Sequence, residues 1–557
     1  MNTAALKESG LQKPAASRAA PWWRGATIYQ IYPRSFLDTN GDGIGDLPGI
    51  LAKLDYIATL AVEAVWISPF YKSPMADFGY DIADYRAVDP MFGTLADFDA
   101  LVVKAHSLGL KVIIDQVLSH TSDRHAWFEE SRQSRDNPKS DWYVWADARA
   151  DGTPPNNWLS IFGGVAWQWE PRRGQYYLHN FLGAQPDLNF HNPDVQRASL
   201  DTLRYWLDRG VDGLRLDAIN FCFHDSKLRD NPPRPLNERK ATGFKNDNPY
   251  GYQWHRYNNT QPEMLPFLED VRALLDAYPD TVALGEISSD DSTATVAEYT
   301  QPGRLHMAYS FELLSSESSP AHIRATVENL KKRAPESWPC WTFSNHDVER
   351  VVSRWGGRTP QLPHFATQLT ALLCALRGSL CVFQGEELGL AEAEVPFESL
   401  RDPYGIAFWP TFKGRDGCRT PMPWDSNERG GFSNVEPWLP LPPQHLALSV
   451  AAQERDASSA LHGFRRLLSW RRQHRLLLSG DIEFLSATES VLVFKRFDAS
   501  DALLAAFNLS SEPASVSLPA ISVGREIAGH GLPQGVFANA TLRLPGHGVA
   551  FFELIAP

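Results

Sequence analysis

Three acids in this sequence stand where chemistry is possible. Asp217 ends the run Gly213-Leu214-Arg215-Leu216-Asp217, Glu286 ends Leu284-Gly285-Glu286, and Asp347 ends Phe343-Ser344-Asn345-His346-Asp347. Two carboxyl groups held in different protonation states can break a glycosidic bond: one attacks or stabilises the anomeric carbon, the other protonates the departing oxygen. Arg215 lies two residues before Asp217 and so on the same face of an extended strand. Its fixed charge is expected to keep Asp217 ionised, while neighbouring anions raise Glu286 and keep it protonated. A single Asp after a strand is usually a solvated loop residue; charged residues ending successive apolar strands are a different pattern.

Something must bring these distant segments together. Short apolar runs at Ile28–Phe36, Val62–Phe70, Leu110–Val117, Val211–Ile219, Val282–Ile287, Trp341–Asp347 and Leu380–Gly385, with a weaker one near His306–Leu313, alternate with helical stretches. Near-continuous apolar runs suit strands buried on both faces, and the alternation suits repeated βα units. Leu95–Leu108 and Leu200–Leu207 have helical spacing and glycine stops. Eight such units predict a (β/α)8 TIM barrel with its reactive residues at the strands' C-terminal ends; an open doubly wound sheet is the competitor. Residues 1–24 read as a polar tail without an apolar leader core. The barrel is expected over 25–120 and 185–478. Between them, 121–184 is rich in Trp, Asn, Pro and Gly and reads as a small domain inserted after the third strand. The pattern changes to short strands at 479–557, a C-terminal antiparallel β domain. Arg229–Asn259 reads as a long loop over the barrel mouth.

Composition bounds the partners. The chain has 557 residues and a net charge of −13, which disfavours nucleic acid and leaves neutral sugars open. No apolar run approaches the roughly 18 residues that span a membrane. The five cysteines are scattered, with no C-x-x-C pair for zinc or redox chemistry. A cytoplasmic monomer or homodimer acting on small sugars is the economical expectation.

The motifs resemble those of glycoside hydrolase family 13, the α-amylase family, over nearly the whole chain. Asp115-Gln116-Val117-Leu118-Ser119-His120, Gly213–Asp217, Gly285-Glu286 and Asn345-His346-Asp347 look like its four signature regions in order. Gln185-Pro186-Asp187-Leu188-Asn189 and the opening Trp22-Trp23-Arg24 and Ile28–Phe36 resemble the oligo-1,6-glucosidase and α-glucosidase branch. The resemblance implies Asp217 as nucleophile, Glu286 as acid/base and Asp347 as transition-state stabiliser. It implies a glucose pocket with Tyr80 stacking on the ring, Asp81 bonding its far hydroxyls, and Arg215, His120 and His346 around the same sugar. Arg415 looks like the branch's arginine that pairs with the pocket Asp and closes the non-reducing end, giving an exo-acting enzyme. Phe162 and Phe181 are candidate pocket walls, with core packing equally open.

The implied activity is a retaining α-glucosidase working through a glucosyl-enzyme intermediate, with transglucosylation to alcohols open. In this branch Ala or Thr after the nucleophile accompanies α-1,4 specificity and Val accompanies α-1,6, so Ala218 implies maltose and short α-1,4 glucosides. Oligo-1,6-glucosidase, sucrose hydrolase and a glucosyl isomerase of the sucrose isomerase or trehalose synthase type are the alternatives. A non-catalytic transporter-subunit relative would need a membrane anchor and usually a damaged acid set. A pure sugar-binding module gives no reason to set three acids beside an arginine.

Asp38-Thr39-Asn40-Gly41-Asp42-Gly43-Ile44-Gly45-Asp46 places oxygens at alternate positions, like the start of an EF-hand loop, but its twelfth position is Gly49. The resemblance implies a structural Ca²⁺ held by Asp38, Asn40, Asp42, the Ile44 carbonyl and Asp46, with Mg²⁺ open and no organic cofactor. A metal-free Gly/Asp turn is the competing reading. A dinucleotide fingerprint is rejected, because the interleaved Asp side chains would repel a pyrophosphate.

Overall fold

The computed structural model describes residues 21–239, 248–356 and 363–555. The expected tail lies almost wholly outside them, as do 240–247 of the long loop. Eight parallel strands form one sheet: β1 (Thr27–Ile31), β2 (Ala64–Ile67), β3 (Lys111–Val117), β4 (Gly213–Asp217), β5 (Val282–Ile287), β6 (Met307–Ser310), β7 (Cys340–Thr342) and β8 (Ser379–Phe383). Their spatial order is β6-β5-β4-β3-β2-β1-β8-β7, and β6 and β7 at its two ends meet each other. The sheet therefore curls on itself as a (β/α)8 barrel, and each strand falls on a run that its apolar composition marks. The open doubly wound alternative is excluded by that closure.

Helices cover the outside. Leu95–Ser107 starts where Thr94 and Asp97 cap each other's backbone N–H groups in a capping box. Pro193–Leu207 begins seven residues before the periodicity at Leu200 suggests, because Asn192 caps it and Pro193 suits its first turn. Inside the barrel, Ile28, Trp66, Ile113, Leu284, Met307, Tyr309 and Cys381 pack together.

Register carries this order into the site. Asp115 stands beside Arg215 across β3 and β4, and Glu286 stands beside Tyr309 across β5 and β6. Neighbours across parallel strands face the same side, and period-two alternation puts Arg215 and Asp217 on one face. Trp145–Ala146, Gln175–Leu178 and Trp167–Glu170 form a small antiparallel sheet between β3 and β4 around buried Trp158. From Asp481 to Leu554 the chain builds antiparallel sheets of five and three strands. Arg496 docks this region on the barrel, donating to the carbonyls of Ala375, Leu376 and Gly480. Among the described residues no helix is long and apolar enough to cross a membrane.

Candidate active site

Arg215 is the hub of the strand ends and has no exposed surface. Its Nη1 donates to Asp115 at 2.7 Å and to Asp217 at 2.5 Å. Its Nη2 lies 2.7 Å from Glu286 Oε2 and donates to the Tyr309 hydroxyl at 2.8 Å. Glu286 also accepts the Tyr309 O–H on Oε1 at 3.0 Å and the Ala218 N–H on Oε2 at 3.2 Å. Ala218 reaches it because its backbone turns left-handed, with φ 39°. Asp115 further accepts the Tyr80 hydroxyl at 3.0 Å and the Trp66 indole N–H at 3.2 Å. Three carboxyl groups thus share one guanidinium.

Asp347 faces them from beyond β7. Arg415 Nη1 donates to Asp347 at 3.0 Å and Arg419 Nη2 to the same oxygen at 2.9 Å. Arg415 also donates to Asp77 and to Asp402, each at 2.8 Å. Asp402 accepts the Arg415 backbone N–H too, at 2.7 Å, so it fixes both ends of that residue. His346 stacks between Tyr80 (5.1 Å between rings) and Tyr32 (5.6 Å). Its Nδ1 accepts the Gln30 amide at 2.8 Å, which leaves its hydrogen on Nε2, 3.2 Å from Asp347.

These side chains enclose a cavity of about 110 Å³ lined by Asp77, Tyr80, His120, Phe162, Phe181, Asp217, Glu286, His346, Asp347 and Arg415 among others. It opens toward a wider polar cleft of about 800 Å³ that shares Ser288, Asp347 and Tyr404 with it. The six carboxyls in contact with Arg215 and Arg415 outnumber the three arginines, Arg419 included, so the site favours positive charge on whatever fills the cavity.

Protonation follows from burial. Burial pushes Asp217 up to about 7, against the pull of Arg215 and with help from Asp115. Arg215 does favour the ionised form of Asp217, as expected, but burial opposes it. Burial also pushes Glu286 up to about 7; Arg215 opposes, and Asp217 and Asp347 add to the rise. Asp217 and Glu286 therefore hold about one proton between them near neutrality. Burial works to raise Asp347 too, but His346, Arg415 and Arg419 hold it well below the usual carboxylate range. Burial lowers His120 to about 4 and His346 to about 3, so both rings are neutral at pH 7.

Most residues expected from the sequence converge. Asp217, Glu286, Asp347, Tyr80, His120, His346, Arg415, Phe162 and Phe181 all line the cavity. His120 Nε2 lies 3.0 Å from the Tyr80 carbonyl. Two do not line it. Asp81, expected to bond the sugar's far hydroxyls, accepts the N–H groups of Ala76 (2.8 Å) and Asp77 (3.0 Å) and the Ser73 hydroxyl (2.9 Å). Its carboxylate closes the turn that presents Asp77, and Asp77 is the acid paired with Arg415 in the cavity wall. Arg215, expected around the sugar, lies one layer below and reaches the cavity only through Asp217 and Glu286. Asp77, Asp402 and Tyr309 are not marked as site residues by the sequence, and Arg419 stands there only as a neighbour of Arg415. Asp77 and Asp81 bracket Tyr80 with equal plausibility, whereas Asp402 and Tyr309 sit in no motif that marks them.

The Gly/Asp loop is ordered by its own amides. Asp38 accepts from Gly41 at 2.7 Å and Gly43 at 2.9 Å, Asn40 from Asp42 at 3.0 Å, and Asp42 from Ile44 at 2.8 Å. Asp46 caps the helix Leu47–Thr59 through Gly49 at 2.7 Å. Among the described residues no cluster of three or more His, Cys, Asp or Glu is placed to hold a metal.

Known proteins place this arrangement. Residues 30–480 match the α-amylase catalytic domain. A probable alpha-glucosidase of Rhizobium meliloti (strain 1021) is 54% identical over 538 residues, covering 96% of this chain and 97% of that one. The oligo-1,6-glucosidase of Heyndrickxia coagulans is 39% identical over 536 residues, covering 89% and 94%. The crystal structure of an alpha-glucosyl transfer enzyme, XgtA, superposes with a TM-score of 0.95 at 64% identity, covering 96% of this chain and 100% of its own. The barrel, its acid constellation and these relatives agree: this chain belongs to the α-amylase family.

Proposed function

We propose that the chain is a retaining, exo-acting α-glucosidase that removes terminal α-1,4-linked glucose from maltose and short α-glucosides. One observation carries the reading: Asp217 and Glu286, both held by one guanidinium beneath them, line a one-sugar cavity together with Arg415, which is fixed by Asp77 and Asp402. Asp217 attacks the anomeric carbon while Glu286 protonates the leaving oxygen. Water or another hydroxyl then cleaves the glucosyl-Asp217 ester, with Glu286 taking its proton. Asp347, anionic under its arginines, stabilises the cationic transition state without bonding to it. Tyr80, His120 and His346 contact the glucose, with Phe162 and Phe181 as apolar walls.

The kinship to an alpha-glucosyl transfer enzyme supports transfer to alcohols beside hydrolysis. Ala218 supports α-1,4 over α-1,6. Chromatography of the products from maltose, isomaltose, sucrose and trehalose, with and without an added alcohol, tests both points. Free glucose released fastest from maltose, with alkyl glucoside formed when alcohol is present, is the expected result. A preference for isomaltose overturns the linkage assignment, and a rearranged disaccharide as main product overturns hydrolysis.

A structural Ca²⁺ (or Mg²⁺) in the Asp38–Asp46 loop belongs to the same proposal. The loop fits a hard cation by donor type, with oxygens of Asp38, Asn40, Asp42 and Asp46 on one turn. It carries no step of the reaction. The composition and the absence of a spanning helix among the described residues support a cytoplasmic enzyme, as monomer or homodimer.

A further inference from the structure

Glu286 must serve as acid and then as base, and three donors meet it before any substrate does. Arg215 Nη2 and the Ala218 N–H take Oε2, and the Tyr309 hydroxyl takes Oε1. The direction of the last bond is fixed. A guanidinium only donates, and Arg215 meets the Tyr309 oxygen with Nη2 at 2.8 Å and Nε at 3.3 Å. Both lone pairs of the phenol oxygen are then engaged, and its single hydrogen is left for Glu286 Oε1. Tyr309 is buried on β6, where the strand register puts it beside Glu286, and it does not line the sugar cavity.

We propose that Tyr309 is a positioning residue for the acid/base: its O–H holds Glu286 Oε1, favours the carboxylate form and leaves the acidic proton only the one remaining lone pair of Oε1, toward the cavity. The inference rests on Glu286 being the acid/base. In the first step Glu286 gives its proton to the leaving oxygen and becomes a carboxylate that Tyr309, Arg215 and Ala218 already solvate. In the second step it takes a proton from the attacking water or alcohol as the glucosyl-Asp217 bond breaks, and is neutral again. Tyr309 neither gains nor loses a proton in the cycle. The other charged groups facing Glu286 are Arg215 and Asp217 on β4, Asp115 on β3 and Asp347 beyond β7. Removing the phenol oxygen takes an acceptor from Arg215 as well, but leaves its charge and its contacts with Asp115, Asp217 and Glu286.

Tyr309→Phe tests this, because the ring keeps its packing against Trp66. A hydrogen bond to a charged group is lost, so the alkaline limb of kcat/KM on maltose rises by about one pH unit. In the glucosyl-enzyme Asp217 is an uncharged ester and no longer raises Glu286, so the base stays ionised at pH 7 and the shift is read on the alkaline limb of kcat/KM, not on release of the glucosyl group. A fluorinated tyrosine at 309, a stronger donor, moves the limb to lower pH. An unmoved limb in both variants overturns the proposal. Glu286→Gln separates the premise: the alkaline limb vanishes if Glu286 is the acid, and full activity with the limb intact defeats the premise itself.

Discussion

Removing Arg415 tests how the cavity is closed. Its side chain is only 8% exposed and its guanidinium touches Asp77, Asp347 and Asp402. In Arg415→Ala, Asp77 loses its cation, Asp402 loses its side-chain partner, and Asp347 keeps Arg419. Breaking a buried ion pair costs about 3–5 kcal/mol, part of it spent on the fold and not on the transition state. Taking the lower figure at about 1.4 kcal/mol per decade, kcat/KM on maltose falls ~10²-fold. Arg415→Lys restores a point charge without the fork that spans three carboxylates, and recovers about one decade. The wall is also gone, so Arg415→Ala gains cleavage of maltooligosaccharides whose non-reducing end is chemically blocked. Kinetics on maltose and chromatography of the blocked substrate give the two readouts. An Arg415→Ala enzyme with near-normal kcat/KM, still inert to blocked chains, would refute the closure argument.

Two further outcomes follow from the same contacts. The pH profile of kcat/KM is bell-shaped with its maximum near neutrality: Asp217 must be ionised, which sets the acid limb, and Glu286 protonated, which sets the alkaline limb, and both are raised to about 7. His120 and His346 are neutral throughout that range, so a limb that disappears on replacing either one contradicts the assignment. Saturating Ca²⁺ raises the thermal midpoint by about 2–4 °C without changing kcat/KM, and Asp42→Asn abolishes the shift; an identical midpoint with Ca²⁺ and with chelator removes the metal from the account.

The barrel was legible because strands buried on both faces leave continuous apolar runs, and all eight are present at Thr27–Ile31 through Ser379–Phe383. The acids were legible because each ends such a run. What the sequence hides is competition for lone pairs. Asp77 and Asp81 differ only in whose N–H groups reach them, and Asp81 is consumed by Ala76 and Asp77. Asp402 and Tyr309 matter through partners 13 and 23 residues away, Arg415 and Glu286, with no local spacing to announce them. The balance at Asp217 is half hidden for a related reason: Arg215 is visible two residues away, but the burial that opposes it is not.

The account stands on Asp217 and Glu286 acting on one anomeric carbon. Mixing Glu286→Gln with an activated aryl α-glucoside and mapping the quenched protein by peptide mass spectrometry tests that directly. The expected result is a glucosyl ester on the peptide bearing Asp217, absent in Asp217→Asn. An adduct on another residue, or turnover with inverted anomeric configuration and no adduct, would contradict it.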